Sequence, residues 1–147
     1  MPQSLSFVLL HLVFSTKDRA PLLTPPITTE LYPYLASVAR DLNCECYRIG
    51  GVADHVHLAI RLSRTTTIAD LVEQLKTCSS KWLKPQSHAF AWQRGYAAFS
   101  TNPSETDSLL HYIDTQAEHH QKQNFSDELR TLLTNHGVEH DERYMWD

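Results

Sequence analysis

Two short elements, far apart in the chain, carry side chains that do chemistry: Asp54-His55-Val56-His57 in an apolar run, and Tyr112-Ile113-Asp114-Thr115-Gln116 in a helical pattern. Alternate residues of a strand share a face, so His55 and His57 project side by side while Val56 turns the other way into a core. Two imidazoles on one face can hold a divalent ion. On a helix, residues four apart share a face, which sets Tyr112 and Gln116 one turn apart, with His119 close to them at the next turn. A phenol, an amide oxygen and a further imidazole then approach the same ion, and the two elements together read as a metal site facing a tyrosine nucleophile.

Each element alone has a plainer reading. A His-x-His on a strand is often a half-exposed face, and two ligands fall short of the three or four that a catalytic metal needs. A tyrosine on a helix is usually packing. It is the combination that points to catalysis.

The elements that must position these groups follow from periodicity. Leu5 to Ser15 reads as a first strand, mostly apolar and so buried on both faces. Residues 21–26 are proline-rich and read as a loop. Leu31, Leu35, Val38 and Leu42 recur at helical spacing within 28–42, and residues 44–50 and 52–62 read as a hairpin joined near Gly50-Gly51. Thr67-Ile68-Ala69-Asp70 reads as a capping box, opening a helix whose apolar stripe runs from Ile68 to Trp82 and which Pro85 ends.

Residues 90–100 read as one or two short strands broken at Gly95. Asn102-Pro103-Ser104-Glu105 then opens a helix over about 103–121, with Tyr112 near its middle. The C-terminal helix and tail occupy about 126–147, with Leu129, Leu132 and Leu133 as the helix's apolar side, Gly137 as its stop, and Tyr144, Met145 and Trp146 as tail aromatics and apolar groups that dock on something. The order βαββαβ plus C-terminal helices predicts an α+β fold: a ferredoxin-like (RRM-like) antiparallel sheet with helices on one face and the histidine pair on a central strand.

A chain of 147 residues, 41% hydrophobic, makes one domain over 1–147 with a single core. The apolar start reads as a strand rather than a signal peptide, and no segment is long enough to span a membrane. Three cysteines argue against a disulfide framework and suit a reducing, cytoplasmic setting. Cys44 and Cys46 raise a zinc reading with the histidines, although Cys-x-Cys in a strand is more often packing. The net charge of −4 sits awkwardly with phosphate binding unless the charge is local. Lys76, Lys81 and Lys84 crowd one helix end, Lys17 and Arg19 follow the first strand, and much of the acid lies after residue 104.

Nearly end to end, the chain resembles the HUH single-tyrosine transposases of bacterial insertion sequences that move as single-stranded DNA, REP-associated tyrosine transposases included. The resemblance rests on His11-Leu12-Val13-Phe14-Ser15-Thr16-Lys17, on residues 51–58 around the histidine pair, on Trp92-Gln93-Arg94-Gly95-Tyr96-Ala97-Ala98-Phe99-Ser100, and on residues 112–116. It implies that His55 and His57 bind metal with Gln116 as third ligand, that the metal is Mg²⁺ or Mn²⁺, and that Tyr112 takes up a DNA 5′ phosphate. It further implies that Lys17, Arg19, Arg94 and Tyr96 contact DNA or support the site, and that the partner is single-stranded DNA with hairpin-bearing ends. A homodimer, in which one subunit's tyrosine helix can complete the other's site, is likewise implied.

A phenol with a reference pKa near 10 must lose its proton during attack, and His119 or a metal-bound water is the candidate base. Three other readings stay open: a non-catalytic single-stranded nucleic-acid binding module, a zinc-stabilised structural protein, and a host-retained REP-associated relative that shares the chemistry.

Overall fold

The structure is a computed structural model that describes residues 2–146. Four strands form one antiparallel sheet in the order β2-β3-β1-β4: β1 (Leu9–Ser15), β2 (Glu45–Val52), β3 (His55–Arg61) and β4 (Ala97–Thr101). α1 (Pro25–Asp41) joins β1 to β2 and α2 (Ile68–Leu83) joins β3 to β4, which makes the βαββαβ sandwich expected from the sequence. Beyond β4 come α3 (Thr106–Asp114), α4 (Gln116–His119) and α5 (Phe125–Asn135).

The two faces of the sheet have different tenants. Leu10, Leu12 and Phe14 of β1 and Val56, Leu58 and Ile60 of β3 pack with Leu31 and Leu35 of α1 and Leu71, Val72 and Leu75 of α2 in the main core. Full burial of one such side chain contributes roughly 1.5–3 kcal/mol, so this face carries most of the hydrophobic stabilisation. On the opposite face Leu9 and Ala59 meet Leu109 and Ile113 of α3, while Val13 and Phe99 meet Phe125, Leu129 and Leu133 of α5. The sandwich's own helices thus lie on one face, as expected, and the appended helices cover the other.

Four local expectations need correction. The first strand starts at Leu9 rather than Leu5, because its partner's pairing ends at Arg61 and leaves Leu5 85% exposed. The helix α1 begins at Pro25, inside the proline-rich stretch, since proline suits a first helical turn. The hairpin turns at Ala53-Asp54, not at Gly50-Gly51, which pair with His57 and Val56 inside the ladder. There the Gly-Gly serves close approach: a Cβ on Gly50 would lie 2.6 Å from the Ile113 carbonyl oxygen, so the missing side chain lets α3 rest on β2. Within 90–96 only Trp92 forms a bridge, to Thr16, and the carbonyls of Gln93, Arg94 and Gly95 are taken by the Lys76 ammonium at 2.8, 3.3 and 2.6 Å instead of by a partner strand.

The helix expected over 103–121 is interrupted at Thr115 (φ −104°, ψ 22°). Its hydroxyl donates to the His111 carbonyl at 2.9 Å, which also accepts from the Thr115 amide at 3.1 Å. Gly137, at φ 66°, follows α5 as its stop.

Candidate active site

His55 and His57 point from central strand β3 into the face covered by α3–α5, both with no solvent exposure, while Val56 between them joins the main core. Each imidazole is held from behind. The Nδ1 of His55 lies 2.7 Å from Asp54 Oδ1, and the Nδ1 of His57 lies 2.7 Å from Nε2 of His11 on neighbouring β1. Such partners fix ring orientation and turn the Nε2 atoms toward the helices.

What the Nε2 atoms meet is Glu128, on the first turns of α5. Its Oε1 lies 3.3 Å from His55 Nε2, 3.2 Å from His57 Nε2 and 3.0 Å from Nε2 of His120, which follows α4. Gln116 joins through both amide atoms: Oε1 is 3.2 Å from His55 Nε2 and 3.1 Å from His120 Nε2, and Nε2 donates to Glu128 Oε2 at 3.1 Å. The Tyr112 hydroxyl donates to the same Oε2. Its ring stands edge-on to His57 at 5.6 Å between centroids, in the same chain. The break at Thr115 reorients the backbone between Tyr112 and Gln116, and both still reach the cluster.

Burial raises the electrostatic stakes. It opposes ionisation of Glu128, yet hydrogen bonds from His120, His55 and His57 outweigh it and hold the carboxyl well below its ordinary range. Burial also pulls His55 down, but the Asp54 and Glu128 carboxylates push it up to about 9. Burial and the neighbouring His57 lower His11 to about 3, so it stays a neutral hydrogen-bond partner. Burial, reinforced by the bond to Glu128, raises the Tyr112 phenol above its ordinary value.

The donor set fits a divalent cation. One ligand atom each from His55, His57 and Glu128 lies within 4.8 Å of the others. Bonds of about 2.1 Å place adjacent ligands of an octahedron about 3 Å apart, and the His55 and His57 nitrogens stand 3.3 and 3.2 Å from Glu128 Oε1. Imidazoles with amide and carboxylate oxygens make a borderline donor set, compatible with Mn²⁺ and Mg²⁺ among divalent ions. Cys44 and Cys46 take no part: Cys44 Sγ accepts from the Ser63 amide at 3.4 Å in the main core, and Cys46 bonds the Arg48 carbonyl.

Other singled-out residues lie elsewhere. The ring of His119 packs on that of Tyr112 at 4.9 Å, but its Nε2 faces the Thr115 hydroxyl at 3.2 Å. Arg94 and Tyr96 line a groove of about 650 Å³ along α2, together with Lys76, Lys81 and Lys84. Lys17 donates its amide to the Ala91 carbonyl beside that segment, and the Arg19 guanidinium covers the Trp146 ring at 5.2 Å.

Sequence reasoning missed Glu128 and His120. The signal for Glu128 was present: an acid on the same helical face as Phe125, Leu129 and Leu133, all buried with it. A charge inside an apolar stripe needs partners, and here the partners are imidazoles.

The ferredoxin-like sheet presents paired histidines to a tyrosine-bearing helix. The profile of the IS200-like transposases matches residues 4–116, most of the chain, and the chain belongs to that family. No curated protein matches it in sequence. Among solved structures it is similar to a protein assigned as a transposase from Deinococcus radiodurans R1, with TM-score 0.63 and 21% identity over 79% of this chain and 95% of that one. It is also similar to a REP-associated tyrosine transposase bound to a REP hairpin, with TM-score 0.60 and 13% identity over 82% of this chain and 74% of that one. At these identities the two structures bear on the fold. No helix among the described residues is long and apolar enough to cross a membrane.

Proposed function

We propose that this transposase-family chain cleaves and rejoins single-stranded DNA by transesterification, with Tyr112 as nucleophile. The observation that carries the reading is the shared Glu128 carboxylate, one oxygen of which gathers the imidazoles while the other accepts from the Tyr112 hydroxyl. Mg²⁺ or Mn²⁺ held by His55, His57, Gln116 and Glu128 would polarise the scissile phosphate and offset charge on its non-bridging oxygens.

The chain's own groups do the rest. The Tyr112 oxygen, oriented by its hydrogen bond to Glu128 Oε2, attacks phosphorus as the phenol gives up its proton to water. The bond from phosphorus to the 3′ oxygen breaks, that oxygen takes a proton from water, and a 5′ phosphotyrosine remains. Attack by another 3′ hydroxyl reverses the sequence and joins strands without ATP. Asp54 and His11 keep the imidazoles oriented throughout. Lys76, Lys81, Lys84 and Arg94 line a groove suited to a phosphate backbone, with Tyr96 available for stacking and Lys17 and Arg19 nearby. Single-stranded DNA with hairpin-bearing ends is the substrate this implies, in line with the hairpin bound by the REP-associated neighbour.

The test is incubation with labelled single-stranded DNA from the flanks of the protein's own gene and Mg²⁺ or Mn²⁺. A covalent adduct that survives denaturation, needs metal and disappears in Tyr112→Phe is the expected result. Binding without any adduct across several flank lengths would favour a binding module instead.

A further inference from the structure

A second cavity, of about 210 Å³, opens against Tyr112 between α3, β4 and α5. Of the residues that converge on the Glu128 cluster, only Tyr112 and His11 reach it. The volume is below the roughly 300–1,000 Å³ of sites for drug-sized ligands, and so suits a single heterocycle. Its lining includes one carboxylate, Glu105, and no lysine or arginine. A phosphate is therefore repelled from it, in contrast to the lysine-lined groove along α2.

Its polar groups are hydrogen-bonding ones: the Glu105 carboxylate with the hydroxyls of Ser100, Thr101 and Ser108. His136 supplies a platform. Its Nδ1 donates to the Leu132 carbonyl at 2.8 Å and its ring packs on Phe99 at 4.5 Å, which fixes the ring while leaving the residue exposed. Unpaired bases are read in this way, by stacking on a fixed ring and by hydrogen bonds to the base edge.

We propose that this cavity takes an unstacked guanine of the DNA strand beside the bond that Tyr112 attacks; the inference rests on the functional reading above. The base follows from the carboxylate. Guanine alone presents two adjacent donors, N1–H and the N2 amino group, on its Watson–Crick edge, which match the two oxygens of Glu105. Adenine and cytosine set a ring acceptor beside their amino group, and thymine flanks its single N–H with two carbonyls, so each meets the carboxylate with repulsion.

The experiment needs no cleavage. ¹⁵N-labelled protein is titrated with the dinucleotides d(TpG), d(TpA), d(TpC) and d(TpT), and the amide shifts of Thr101 and Ser108 are followed, beside Glu105→Gln. The expected result is binding of d(TpG) about five- to tenfold tighter than the others, shrinking to within about twofold in the variant. Equal affinity for all four, no binding, a guanine preference that survives Glu105→Gln, or shifts that bypass Thr101 and Ser108 would each overturn the proposal. Failure of the adduct assay with guanine binding intact would sink the transesterification reading and leave the cavity standing; adducts formed without base preference would do the reverse.

Discussion

The Tyr112 hydroxyl and the Glu128 carboxylate are hydrogen-bonded to each other across two helices, and the same carboxylate faces the imidazoles of His55, His57 and His120. Tyr112 and the histidines therefore share one acid, and a change at Glu128 reaches both.

Glu128→Ala should weaken Mn²⁺ binding by at least about tenfold, as loss of a ligand or its close support does. It should also cost about 1–3 kcal/mol of stability, because buried imidazole and amide donors lose their acceptor. Titration calorimetry with Mn²⁺ and chemical denaturation read the two effects. Unchanged Mn²⁺ affinity would remove Glu128 from the metal site.

Gly50→Ala should impair adduct formation more than folding. The added methyl meets the Ile113 carbonyl at 2.6 Å and the Ile113 Cγ2 at 2.8 Å, so α3 must lift from β2, and Tyr112 with it. Adduct rates compared with denaturation midpoints decide this. Loss of stability with adduct rates intact in the folded fraction would show that Gly50 does not set the position of Tyr112.

Tyr112 packs against His57 and bonds Glu128 of its own chain, an arrangement in which mixing Tyr112→Phe with His57→Ala should restore no adduct. The homodimer implied by the family resemblance predicts the opposite if subunits exchange tyrosine helices. Recovery of activity in the mixture would establish action in trans.

Burial lowers Lys76 from 10.5 to about 8. Between those two values the unfolded chain binds more protons at this residue than the folded one, so its contribution to stability rises with pH. Below about 8 the buried charge keeps its full cost. The stability of the wild type relative to Lys76→Met should thus increase from pH 8 to pH 10.5. A flat difference over that window would mean that the three carbonyls around the ammonium compensate for its burial.

The shared face of His55 and His57 was legible because strand alternation is a local property, and the capped helix α2 was legible for the same reason: Thr67 accepts from the Asp70 amide, which is the N-cap half of the expected capping box. Glu128 was not, because its histidine partners on β3 are 71 and 73 residues away and only the folded chain brings them near. Gly50-Gly51 misled in another way. Glycine marks either a turn or a close approach, and the sequence does not say which; the answer lay in α3, whose docking on β2 is a tertiary event. The break at Thr115 was hidden likewise, since threonine is tolerated in helices.

Strand β3 writes two messages in one alternation: Val56, Leu58 and Ile60 address the core, while His55 and His57 address the chemistry. Their separation depends on nothing but parity. Inserting or deleting one residue between the turn and His57 would exchange the addresses, burying imidazoles among leucines and aiming valine at the carboxylate. Fold and activity in this chain are therefore encoded in the same reading frame along the strand, and no single-residue length change there can spare one and damage the other.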